Sequence, residues 1–196
     1  MLIVGTDPLE VDQLLIGGEL RCPGCAGELR PWGLGRERGV RDETAVVALR
    51  PRRSACSQCR CTHVLLPACT LLRRADTVVV VGRALLAKAA GAGHRSIAAV
   101  LDRPVSTVRG WLRRFGARAE SLRVLFTALL HALDACAGAV PVTGSGFTDA
   151  LQAPGLAAAA AARLFGPRPA WQFASAASGG LLLGLAVMPM PVANTS

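Results

Sequence analysis

The sequence predicts a mainly α-helical chain with one small β element near its N-terminus. Three observations carry that prediction. Two Cys-x-x-Cys pairs, separated by 30 residues, sit among short apolar runs of strand character. The stretch 93–115, GHRSIAAVLDRPVSTVRGWLRRF, has the spacing of two short amphipathic helices joined by a tight turn. The part after residue 118 is rich in alanine and poor in charge. A chain of 196 residues suffices for one or two domains with a real core.

Taken in order, residues 1–19 hold a short helix over 7–16, with Asp7 placed to cap it, Pro8 at its first position and Gly17–Gly18 ending it. Residues 20–70 are rich in Gly, Pro and Arg, and there TAVVAL (44–49) and THVLL (62–66) read as strands. A third unit, 75–118, opens with TVVVVGRALLAKAAGAG, which fits a helix over 77–90 capped by Asp76 or Thr77 and closed by Gly91 and Gly93. Its valine run taken alone reads equally as a strand. The C-terminal region, 119–196, is expected to be helical around 119–137, loop over 138–155, and helical again at 156–165.

The formal net charge is +9, with one lysine among 22 basic residues, so abundant arginine is partly a compositional bias. Its placement is more telling. Residues 20–74 hold eleven arginines against four acids, and residues 94–118 hold six against one aspartate, while the first 19 residues carry only acids. Basic surface concentrated in two blocks is the electrostatic footprint of a polyanion partner. No charged stretch followed by an apolar one opens the chain, which points away from a secretory signal and towards a reducing, cytoplasmic (nucleoid-associated) setting.

In that setting the cysteines read as metal ligands rather than disulfides. RCPGCAGELRPWG (21–33) and SACSQCRCTHVLLP (54–67) each present a Cys-x-x-Cys knuckle, and two knuckles close a tetrahedron of four thiolates. Cys22, Cys25, Cys56 and Cys59 are therefore the expected ligands of one structural Zn²⁺ per chain, held by a zinc ribbon. Gly24 and Gly27 are expected to help the first knuckle turn. Cys61 and His63 lie close enough to compete as ligands, and Cys69 and Cys136 are expected to be buried thiols. A closed four-sulfur site holds structure and leaves no position for a reacting water. The basic excursion 33–53 between the knuckles reads either as a phosphate contact or as a solvated hairpin.

In 93–115, Ala98 supplies the small residue that a close helix crossing needs, and Ile97, Leu101, Val108 and Trp111 fall on the shared core. Asp102 occupies the turn position that demands a positive φ, which aspartate tolerates better than most residues. Arg103–Pro104 breaks the first helix, and Val105-Ser106-Thr107 is placed to cap and begin the second. That is a helix-turn-helix, with 77–90 as its supporting first helix. With helix 105–115 in a major groove, Val105, Ser106, Thr107, Arg109 and Gly110 would meet base edges, Arg109 pairing with guanine. Arg95, Arg113, Arg114 and Arg118 are better placed for phosphates, which fix register without specifying sequence. His94 is expected at the surface and Trp111 in the core.

The segments CPGCAGELRPWG, LRPRRSACSQCRCTHVLLP and GHRSIAAVLDRPVSTVRGWLRRF resemble a group of bacterial proteins that carry a zinc ribbon and a helix-turn-helix. They are also similar to the N-terminal DNA-binding part of insertion-sequence transposases, the ISL3-like kind above all. The resemblance spans about residues 8–120. It implies DNA binding, descent from mobile elements, zinc on Cys22, Cys25, Cys56 and Cys59, and a recognition role for helix 105–115.

Catalysis is not expected. Transposase chemistry needs three carboxylates around two metal ions, and after residue 118 the only acids are Glu120, Asp134 and Asp149. No nucleophile–base pair, phosphate-binding glycine loop or His-Glu-x-x-His motif is present elsewhere. AWQFASAASGGLLLGLAVMPMP (170–191) carries no charge; it reads as a buried helix or a homodimer face, with a membrane span disfavoured by Gln172 and Pro189. The leading function is sequence-specific binding of double-stranded DNA, as a regulator or a non-catalytic transposase-derived module. The alternatives are a protein-interaction adaptor using the ribbon and its basic face, and a membrane-tethered regulator.

Overall fold

The structure, a computed structural model, describes residues 1–184. It comprises a small β part, built on α1 and six strands, followed by a bundle of six helices, α2–α7. The mixed architecture matches the expectation, although the strands outnumber those the sequence suggested.

Helix α1 (Pro8–Ile16) forms as anticipated: the Asp7 carboxylate accepts from the N–H groups of Leu9 and Glu10, and Pro8 opens the first turn. It buries Val11 and Leu15 against a four-stranded sheet of order β1 (Leu2–Ile3), β6 (Thr62–Leu66), β5 (Arg52–Cys56), β2 (Leu29–Leu34). β1 runs parallel to β6, and the other neighbours are antiparallel. A bidentate Asp12–Arg52 ion pair ties the helix to β5. Val11 and Leu15 thus share a buried cluster with Cys22, Leu29, Cys56 and Leu65.

The excursion between the knuckles is a second, two-stranded hairpin, β3 (Arg38–Arg41) and β4 (Val46–Leu49). Its base is closed by the Gly35 N–H donating to the Pro51 carbonyl at 2.8 Å. Val40 and Leu49 bury against Leu66, with Ile3, Val64 and Leu72 alongside. The hairpin is thus docked, and neither open expectation for residues 33–53 anticipated what it docks on.

The helical part has one continuous core. Helix α2 (Val78–Ala89) resolves the ambiguous valine run: Thr77 caps it through its hydroxyl, and Val78, Val80, Val81, Ala84 and Leu85 are buried. Helices α3 (His94–Val100) and α4 (Val105–Gly116) follow, then α5 (Ala119–Leu133) and α6 (Gly146–Phe165), which pack along each other. The expected loop 138–155 is corrected: α6 starts at Gly146, capped by the Ser145 hydroxyl, and runs through Pro154. Proline forgoes the bond to the Ala150 carbonyl. Burial of Ala150, Leu151, Ala153, Pro154 and Ala157 on one face outweighs that loss. Helix α7 (Ala170–Ala177) lies within the expected apolar segment and packs on α2 and α6. Ala174, Leu182 and Leu183 are buried in the same core. Residues 185–191 of that segment lie outside the described residues. Among the described residues no helix is long and apolar enough to cross a membrane.

Candidate metal centre and nucleic-acid interface

The structure brings the four expected cysteines together. The Sγ atoms of Cys22, Cys25, Cys56 and Cys59 all lie within 4.8 Å of one another, with Cys25–Cys56 at 3.3 Å and Cys22–Cys59 at 3.7 Å. Sulfurs at 2.3 Å from a common tetrahedral ion would stand about 3.8 Å apart, so the donor set fits a metal ion of zinc's size and softness. Cys22 and Cys56 are buried, and Cys25 and Cys59 reach solvent.

The two knuckles repeat one backbone pattern. Cys22 N–H donates to the Gly27 carbonyl at 2.8 Å, as Cys56 N–H does to Cys61 at 2.9 Å. Ala26 donates back to the Cys22 carbonyl, as Arg60 does to Cys56, and both Ala26 and Arg60 hold a positive φ (58° and 62°). The left-handed residue of the first knuckle is therefore Ala26, not a glycine. Gly27 serves a different need: a Cβ there would stand 2.9 Å from the Cys56 sulfur. Burial works against the Cys56 thiolate, but the backbone N–H groups of Cys59 and Gln58 and the neighbouring thiols outweigh it, bringing the thiol down to about 6. A thiolate available at neutral pH is the form a metal takes.

Cys61 does not join the cluster, whereas the His63 Nε2 lies 3.6 Å from the Cys22 sulfur. Histidine was the nearer competitor, standing beside the four thiols. Of the remaining cysteines, Cys69 is half-buried and burial raises its thiol, but Cys136 is exposed, against expectation, because the chain leaves α5 at Asp134 into an open turn.

In the helical part, Ile97, Ala98, Val108, Trp111 and Phe115 are buried with the inner face of α2, and Leu101 packs beside them. Asp102 holds φ 50° in the turn, the left-handed conformation expected there. One local expectation fails. No side chain caps α4: Pro104 is its N-cap residue, and Val105-Ser106-Thr107 form the first turn.

This geometry is that of a three-helix unit whose third helix follows a tight turn. Residues 76–123 match the family model of a homeodomain-like domain. The match supports a helix-turn-helix, DNA-binding family for this part of the chain; it touches neither cysteine pair. Neither curated proteins nor solved structures yield a match.

On the homeodomain-like unit, Val105, Ser106, Arg109 and Arg113 are exposed on α4, as is Arg95 on α3, while Thr107 and Gly110 are half-buried. Arg95, Arg109 and Arg113 make no hydrogen bond or ion pair among the described residues. Arg114 folds back over its own helix: a Cβ on Gly110 would stand 2.9 Å from its Nη1. Arg118 is engaged elsewhere, its Nη1 donating to the Gly184 carbonyl at 3.0 Å. Arg74, which sequence reasoning passed over, does the same to the Leu183 carbonyl at 3.3 Å.

The most connected side chain of the turn was also missed. Arg103 donates to the Asp76 carboxylate at 2.7 Å and to the carbonyls of Leu101, Asp102 and Asp42. Asp76 receives Arg41 at 2.7 Å on its other oxygen and is 2% exposed. Backbone bonds run alongside, from Arg41 N–H to Ala75 and from Thr77 N–H to Arg41. Arg41 and Asp42 belong to the β3–β4 hairpin and its turn, so the β part is joined to the homeodomain-like unit at the root of α4. Nothing local in the sequence marks these partners, which stand 27 to 61 residues apart.

Proposed function

We propose that this protein binds double-stranded DNA sequence-selectively through α4, with a structural zinc ion on Cys22, Cys25, Cys56 and Cys59, as a transcriptional regulator or a transposase-derived module without catalysis. The observation that carries the reading is the homeodomain-like unit with an exposed, acid-free outer face on α4. In such a unit the third helix enters the major groove and its N-terminal residues meet base edges. Val105, Ser106, Thr107 and Arg109 then read bases, Gly110 leaves room for Arg114, and Arg95, Arg113 and Arg114 hold phosphates. Arg118, tied to Gly184, would reach a phosphate only by exchanging that bond.

When bound, zinc would supply structure alone, clamping the two knuckles so that the small ribbon folds. Pairing of two copies through the C-terminal region belongs to the same proposal. It would use the outer faces of α5 and α6, where Val124, Leu164 and Phe165 are exposed, because Ala174, Leu182 and Leu183 of 170–191 are buried in the chain's own core.

The test is selection from a random duplex pool, followed by titration of the enriched site at rising salt. The reading expects one enriched sequence and an affinity that falls steeply with salt through counterion release. An interaction adaptor instead enriches nothing and shows no such slope on DNA.

A further inference from the structure

We propose that Asp76 is a positioning residue that couples metal binding at the four cysteines to DNA binding at α4; the inference rests on the DNA-binding reading above. An aspartate buried between two arginines is poor evidence of stability, since desolvating three charges consumes most of what their attraction returns. What such a triad fixes is register. Here it fixes the hairpin against the turn: Arg41 comes from β3, Arg103 precedes Pro104 at the start of α4, and Asp76 precedes the Thr77 cap of α2. One guanidinium, that of Arg103, holds the turn's own carbonyls at Leu101 and Asp102 together with the hairpin's carbonyl at Asp42.

The hairpin is in turn held by the ribbon. Its two ends run into β2 and β5, whose register sets Leu29 opposite Cys56, one of the four ligands. The buried core of that ribbon is Val11, Leu15, Cys22, Leu29, Cys56 and Leu65, two of them ligands themselves. A core this small depends on its metal to fold, so the ribbon supplies an element with two states, closed when loaded and loose when not. In the loose state the Arg41 side chain and the Asp42 carbonyl leave Asp76 and Arg103. The turn that seats Val105, Ser106 and Arg109 then loses its outer wall.

Coupling of this kind is reciprocal: whatever factor zinc adds to DNA affinity, DNA adds to zinc affinity. The experiment measures zinc affinity of the full chain by chelator competition at low salt, with and without a saturating mixed-sequence duplex of about three helical turns. The expected result is zinc binding at least about fivefold tighter with the duplex present, and an equal loss of duplex affinity on chelation. In Asp76→Asn and in Arg41→Met both factors shrink towards one. Arg41→Met leaves the Asp76–Arg103 pair in place and alters a side chain 38% exposed, so it keeps the test alive where the buried Asp76→Asn misfolds. Duplex bound, with zinc affinity unmoved, overturns the coupling and leaves DNA binding standing. Failure of the zinc-loaded wild type to bind the duplex takes down both. Undiminished factors in Arg41→Met overturn the role given to Asp76.

Discussion

The indole of Trp171 fills the space that a side chain on Gly82 would need. A Cβ built on Gly82 would lie 2.1 Å from the Trp171 Cε2 and 2.5 Å from its Nε1. Helix α7 therefore seats its aromatic ring on the bare backbone of α2, the helix that supports α3 and α4. Overpacking a tight contact costs about 1–3 kcal/mol, and here the neighbour is a rigid ring rather than a flexible chain end. Gly82→Ala is expected to lower the thermal midpoint accordingly. An unchanged midpoint in a melting curve would mean the contact is looser than described.

Gly27 and Gly24 make a matched pair for the metal centre. A Cβ on Gly27 meets the Cys56 sulfur at 2.9 Å, whereas one on Gly24 comes no nearer than 4.0 Å to the Cys22 sulfur. Gly27→Ala should weaken zinc binding by at least tenfold, about 1.4 kcal/mol, and Gly24→Ala should leave it near wild type. Chelator competition on the two purified variants decides the point.

Metal content separates the ligands from their neighbours. On the proposed reading the wild type carries about one zinc ion per chain; Cys56→Ser is expected to lose it and Cys61→Ser to keep it, because Cys61 lies outside the sulfur cluster. Elemental analysis after reducing purification reads both. Zinc lost from Cys61→Ser as well would redraw the ligand set.

On α4, Arg109→Ala should relax base preference at one position of the selected site by about 1–3 kcal/mol. Arg113→Ala should weaken all duplexes alike and reduce the salt slope by about one. Both arginines are exposed and unpaired among the described residues, so neither change disturbs the fold. Identical losses on every sequence from both variants would show that α4 does not lie in the groove as proposed.

Asp149 gives the chain an acid-sensitive element. The Thr143 hydroxyl at 2.6 Å and the Thr143 N–H at 2.8 Å hold its carboxyl below the ordinary aspartate range. A carboxylate whose folded pKa is depressed contributes stability above the unfolded value, near 4, and loses it as the pH falls through the lower folded value. Thr143→Ala should therefore destabilise at neutral pH and flatten the acid side of the stability–pH curve, read by denaturant unfolding between about pH 2 and 6. Parallel curves for variant and wild type would assign the acid sensitivity to other groups.

Much of the site was legible because its signals are local. Knuckle spacing, the apolar offsets Ile97, Ala98, Leu101, Val108 and Trp111, and the positive φ at Asp102 all follow from residues a few positions apart. Three things were hidden. Helix α6 passes through Pro154 because tertiary burial of small residues overrides a local breaker. Strands β2, β3 and β5 carry Arg, Pro and Gly where a strand pattern is weak, and are held by pairing and by the knuckles instead. The Arg41–Asp76–Arg103 triad joins residues remote in sequence, and charge counts cannot tell which of 21 arginines is spent internally.

The β3–β4 excursion leaves the ribbon at Gly35 and returns at Pro51, and one hydrogen bond closes its base. The ribbon's strands thus meet whether or not the excursion is there. Cutting 36–50 out and bridging the gap with a short turn should remove the Arg41 and Asp42 contacts to Asp76 and Arg103, together with the Val40 and Leu49 cover of Leu66. The hairpin thus acts as a strut, one side packed on the sheet and the other holding the turn before α4, so that neither part can be refitted without it.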